Sequence, residues 1–257
     1  MVLVAIIANL MERGIVTKLK FLAVVIFVFL SIASIQAETE LTMGVVVFPP
    51  DVILDGKTKE CVGSNITLTR ELLLEYGIKF HVVCAPPQRI IRLIQNGGID
   101  FTISIKSVEA INKHVIYSDI PVRKIRLSLY THNESNNSQT ISAVRGFEYQ
   151  GYRKKFSEQG LEFIDLPNID SAIQVFLKGR SEAMISYESP VQNYMDTNNI
   201  ARLDTYSITP LLEIDAYYSV AKRSPHRKEL IQAFRGYAVK HKVQYFVSTW
   251  QKNNSVK

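Results

Sequence analysis

The chain has 257 residues, 47% of them hydrophobic and 21% charged, with 12 Gly and 9 Pro. That composition excludes collagenous, mucin-like and intrinsically disordered classes, and it allows either one large domain or two of about 100 residues. The net charge of +6 is mild, and no Lys/Arg cluster reaches the density of a nucleic-acid footprint; Arg153, Lys154 and Lys155 read as a solvated helix face.

The first 37 residues differ from the rest and read as a secretory signal. Arg13, Lys18 and Lys20 precede an apolar run over 21–32 that is interrupted only by Ser31, and 33–37 supplies small residues for cleavage. The run is shorter than the roughly 20 apolar residues that cross a bilayer. Met11 is the better start, and cleavage is expected after Ala37, with a cut after Ala33 as the alternative. No Cys follows the run, so no N-terminal lipid is expected and the mature protein reads as soluble. Setting aside this segment, which holds three Lys/Arg against Glu12, lowers the net charge from +6 to +4.

A β-branched run over 41–48 (LTMGVVVF), stopped by Pro49 and Pro50, predicts a strand buried on both faces. Ser64 is expected to cap a helix carrying Thr69, Leu72, Leu73 and Tyr76, closed by Gly77. A strand over 79–84 follows, then a helix opened by Pro86 and Pro87 with Ile90, Ile91, Leu93 and Ile94 inward, then a strand over 100–105. This alternation implies a parallel sheet with right-handed crossovers. After a polar stretch over 132–139 (HNESNNSQ) the pattern restarts: strand 141–144, helix 147–158, strand 161–166, helix 169–178, strand 182–186. The halves echo each other in GGIDFTIS (97–104) and GRSEAMIS (179–186). Alternation over 123–130 and the run 213–222 predict two strands that cross between the halves. A terminal helical region over 224–250 places Leu230, Ile231, Phe234 and Tyr237 on one face.

Cys61 and Cys84 are the only cysteines. In an exported chain an even count favours a disulfide. A metal site on His81 and Cys84 lacks further ligands at useful spacing, and no metal or cofactor is expected.

Ligands of open parallel α/β sheets gather at the carboxyl ends of strands, where helix N-termini present unpaired N–H groups. That rule selects Phe48, Arg89, Ser104, Lys106, Ser107, Arg145, Gly146, Phe147, Tyr149 and Glu188. The mixture of aromatics, hydroxyls, three cations and one carboxylate suits a small zwitterion or organic acid. Each also has a plainer role open to it: Phe48, Phe147 and Tyr149 as packing, Arg89 and Lys106 as solvated surface, Glu188 as a helix cap. Nucleophile-elbow, phosphate-loop, dinucleotide and zinc-protease motifs are absent, so the chain does not read as an enzyme.

Taken in order, Phe48-Pro49-Pro50, Val62-Gly63, Arg89 with Gly97 and Asp100, Tyr117-Ser118-Asp119 with Pro121, Val144-Arg145-Gly146 with Tyr149, Gly179-Arg180 with Glu182-Ala183, and Glu188-Ser189-Pro190-Val191 resemble the periplasmic solute-binding proteins of family 3, the amino-acid-type receptors of ABC importers. The resemblance covers about 41–250. It implies the type II periplasmic-binding-protein fold, two α/β lobes joined by a hinge of two crossing segments, with lobe 1 from 38–130 and 213–257 and lobe 2 from 131–212. It further implies a monomer that closes on a small-molecule ligand in the periplasm and serves an ABC permease or a membrane sensor. The sequence departs from the family where Ala110 stands in place of the Arg that usually binds an α-carboxylate. A dehydratase-like enzyme on the same scaffold, with Glu188 as general acid, is the alternative.

Overall fold

Residues 41–133, 139–200 and 205–248 are described by the computed structural model. The expected signal segment, most of the polar stretch and Trp250 lie outside them. The first lobe is built from β1 (Leu41–Val45), a hairpin of β2 (Ile53–Leu54) and β3 (Cys61–Val62), α1 (Ser64–Leu74), β4 (Phe80–Cys84), α2 (Pro87–Asn96), β5 (Phe101–Ile105), α3 (Glu109–Asn112) and β6 (Val115–Tyr117). Then β7 (Arg123–His132) leads to β8 (Thr140–Val144), α4 (Tyr152–Glu158), β9 (Glu162–Leu166), α5 (Ile169–Leu177), β10 (Ala183–Tyr187) and α6 (Glu188–Thr197). The return is β11 (Tyr206–Ala221), followed by α7 (Arg227–His241).

Among the described residues the main sheet runs β4, β1, β5, β11, β7, β10, β8, β9, with β6 also on β11. Its outer thirds are parallel and its middle is antiparallel. The same order is written twice, as β4, β1, β5, β11 and, mirrored, as β9, β8, β10, β7. The long strands β7 and β11 pair with each other from Arg123↔Ala216 to His132↔Tyr206, while β7 also pairs β10 and β11 also pairs β5. The hinge is this ribbon, and the expected boundaries at 130/131 and 212/213 fall inside its strands.

The echo noted in the sequence has a structural counterpart. Phe101 pairs with Met43, and Ala183 pairs with Ile141. In front of each pair an acidic side chain takes an N–H near the start of the neighbouring strand: Asp100 from Thr42 at 2.8 Å, Glu182 from Thr140 at 3.0 Å. The bond from Thr140, together with one from the Gln139 N–H, holds the Glu182 carboxyl below its ordinary pKa, with Gln139 the larger cause. Gly97 and Gly179 adopt φ of 79° and 65° ahead of these strands, a left-handed turn that glycine makes without steric cost.

Apolar faces follow the periodicity. Leu72, Leu73, Phe101, Tyr218 and Phe234 form the first lobe's main core, and Tyr218 stacks on Phe234 with centroids 4.1 Å apart. Ile90, Ile94 and Ile99 cover the opposite face under α2. In the second lobe, Ile141, Ala143, Phe156 and Ile185 fill one face, and Ile173, Phe176, Met184 and Met195 the other.

Four local expectations change. Ser64 does not cap α1: Gly63 takes the cap position, and the Ser64 hydroxyl donates to Asp51 at 3.2 Å. Tyr76 lies past the end of α1 and is exposed. The helix expected from 147 begins at Tyr152, because Tyr149 and Gln150 have φ of 48° and 60°. The strand expected from 213 begins at Tyr206, with a register shift between Pro210 and Leu212 that accommodates a proline inside a pairing strand.

Candidate functional site

β1 ends at Val45, and the chain then makes a tight turn in which Phe48 and Val52 exchange both backbone bonds, at 2.8 and 3.0 Å. The turn is anchored by Asp51, buried and ion-paired with Arg123 at the start of β7. Burial lowers the Arg123 pKa below the ordinary guanidinium value. The loop that carries Phe48 is thereby tied to the first residue of the hinge ribbon.

Phe48 crosses to the other lobe. Its ring lies 5.4 Å from that of Tyr187, the last residue of β10. Tyr187 also meets Phe147 and Tyr149, each with centroids 6.1 Å away. Each such pair contributes about 0.5–1.5 kcal/mol beyond its buried area. Tyr149 is the inner member: its hydroxyl accepts the Val144 N–H at 2.8 Å, and burial pushes its pKa up. Phe48, Phe147 and Tyr149 are among the residues selected from the sequence, and Tyr187 stands in the strand-end stretch that supplies Glu188.

A second contact between the lobes lies at Gly146. A methyl group there would sit 3.1 Å from both Cγ and Nε2 of Gln88, in the first turn of α2. Arg89 and Arg145 are the chain neighbours of this contact, one in each lobe, and both are exposed. Arg145 donates to the Asp165 carbonyl at 3.4 Å. Lys106, just past β5, is exposed and holds its ammonium 4.1 Å from the Tyr217 ring centre, a cation–π geometry. Ser104 donates to the Ile105 carbonyl at 3.5 Å, and Ser107 is exposed. Ile105 packs against the Phe48, Phe147 and Tyr187 cluster, which brings the end of β5 to the same seam. Ala110 lies on α3, where its carbonyl accepts from Gln95 at 2.9 Å.

Glu188 opens α6. It accepts the Ser128 hydroxyl at 2.7 Å and lies 3.9 Å from Arg126. Arg126 and Lys124 both reach Glu213, at 2.8 and 3.0 Å, and these two hydrogen bonds, Lys124 the larger cause, hold the Glu213 carboxyl below its usual pKa. Glu188 also borders a groove of about 900 Å³ between α6 and the hinge ribbon, lined by Arg126, Met195, Tyr206 and Ile208 among others. Of the residues selected from the sequence, only Glu188 lines that groove, while Phe48, Gly146, Phe147 and Tyr149 lie at the seam. Arg126, Ser128 and Tyr217 escaped the sequence because their positions depend on strand pairing and not on local pattern. Among the described residues no group of three His, Cys, Asp or Glu side chains is placed to hold a metal ion.

No protein-family model matches the chain. No curated protein matches it either. Solved structures do. An ancestral arginine-binding protein bound to arginine superposes with a TM-score of 0.66 at 20% identity, covering 83% of this chain and 97% of that one. A histidine kinase sensor domain with similarity to periplasmic binding proteins gives 0.66 at 14%, covering 83% and 95%. The GluR0 ligand-binding core in complex with L-glutamate gives 0.63 at 14%, covering 84% and 99%. The chain therefore has the periplasmic-binding-protein fold, two lobes on a two-strand hinge, as its sequence implied.

Proposed function

We propose that the protein is an exported solute-binding protein that captures a small polar solute between its lobes, and that the output is the grip and not a reaction. The observation that carries this reading is the pair of contacts across the seam, Phe48 with Tyr187 and Gln88 with Gly146, on two lobes that share the paired strands β7 and β11. A ligand that touches both lobes favours the shut form over the open one, and differential binding of that kind is all that closure requires. The similar structures bound to arginine, to glutamine and to L-glutamate support a solute of amino-acid size. The protein acts as a monomer in the periplasm, after signal cleavage, and delivers the solute to an ABC permease.

Delivery to a membrane sensor is the second reading, favoured by the similarity to a histidine kinase sensor domain. A dehydratase-like activity would need Glu188 as general acid, and that side chain is already engaged by the Ser128 hydroxyl at 2.7 Å, with Arg126 3.9 Å away.

Thermal-shift screening of amino acids, dicarboxylates, polyamines and aromatic acids tests capture, because a ligand bound only by the folded state raises the melting temperature through mass action. For a hit carrying a carboxylate, Arg145→Ala should weaken calorimetric affinity at least about tenfold with the fold intact, the loss expected for a charge-assisted contact. Unchanged affinity would remove Arg145 from the site, and turnover of a hit would remove the binding-only reading.

A further inference from the structure

Glu188 is already engaged. One oxygen accepts from Ser128 at 2.7 Å and the other faces Arg126 at 3.9 Å. Arg126 is fixed in turn, since its Nε donates to Glu213 at 2.8 Å, and Glu213 also takes Lys124 at 3.0 Å. Two carboxylates and two cations thus cancel along one line from α6 to the hinge. An ammonium group brought to Glu188 would meet a carboxylate that already has a cation beside it, and would meet Arg126 as a like charge.

The other candidate charges are unopposed. Among the described residues no carboxylate lies within ion-pair distance of Arg89, Lys106 or Arg145. The Tyr217 ring under Lys106 and the carbonyl beside Arg145 leave both charges intact. Arg89 and Arg145 stand on opposite lobes, next to the Gln88 and Gly146 contact. A guanidinium takes a carboxylate in a two-pronged fork that an ammonium cannot match. A solute with a carboxylate at each end has one for each lobe.

Resting on the capture reading above, we propose that the cleft selects a short aliphatic dicarboxylate without an ammonium group, and that Arg126 and Ser128 are specificity-determining residues that hold Glu188 away from an amine. Calorimetry on the full mature chain would compare succinate with L-aspartate and glutarate with L-glutamate, pairs that differ only in the α-ammonium, with L-arginine as the cationic probe. The dicarboxylate of at least one pair should bind ten times or more tightly than its amino acid, and L-arginine should bind weakest. In Arg126→Gln, which frees Glu188, the preference within that pair should fall at least threefold. Tighter binding of the amino acids, or an unchanged preference in Arg126→Gln, would overturn the proposal while leaving capture standing. No response to any of the five, with an unchanged scattering profile, would overturn capture for solutes of this size and the proposal with it.

Discussion

Phe48 and Tyr187 face each other across the seam with ring centroids 5.4 Å apart, although 139 residues of chain separate them. Replacing Phe48 with Ala removes the first lobe's member of this pair, worth about 0.5–1.5 kcal/mol beyond area. Small-angle scattering without ligand should then show a larger radius of gyration, with the melting temperature little changed, because Phe48 is only partly buried. An unchanged profile would mean that the ring does not hold the lobes together.

Gly146 has φ of 83°, and a Cβ there would come within 3.1 Å of the Gln88 side chain, which would have to give way. Gly146→Ala should cost about 1–2 kcal/mol from the left-handed backbone alone and should also hinder closure. Adding Gln88→Ala should restore the closed profile in scattering but not the stability in denaturant, since only the second penalty comes from the neighbour. Full recovery of both would show that the backbone conformation carries no cost.

Cys61 and Cys84 are disulfide-bonded over a sequence separation of 23. Chain entropy assigns such a bridge about 3 kcal/mol. It joins a hairpin whose Ile53, Leu54 and Val62 are exposed to the end of β4, so reduction or Cys61→Ser should lower the unfolding free energy measured by denaturant titration by that amount. A shift below about 1 kcal/mol would show that the hairpin is held by its other contacts.

Burial pushes the Tyr117 phenol up to about 12 and raises Tyr149, Tyr187 and Tyr218 as well. These groups stay protonated in the folded state where the unfolded chain would begin to lose protons near pH 10. Their contribution to stability is therefore complete below about pH 10 and falls as pH rises toward and beyond 12. Alkaline titration followed by tyrosinate absorbance and circular dichroism should show these phenols ionising together with unfolding. Ionisation near pH 10 of all phenols in a still-folded protein would contradict the burial.

The strand-end rule reached three residues of the seam: Phe48, Gly146 and Phe147 all take part in it or pack beside it. Tyr149 was chosen for the same reason, yet its hydroxyl turns inward to Val144, because a left-handed backbone at two successive residues redirects the chain. Glu188 was chosen as well, but its partners Ser128 and Arg126 lie about 60 residues away.

The sequence by itself determined the alternation of strands and helices, the repeated halves and their glycine turns, because apolar period and backbone freedom act over a few residues. The tertiary structure alone decided which side chains oppose one another. Pairing β7 with β11 brings Arg126 to Glu213, and the packing of one lobe against the other brings Phe48 to Tyr187. Such neighbours are set by strand register and lobe orientation, which depend on contacts between distant segments and leave no local pattern in the chain.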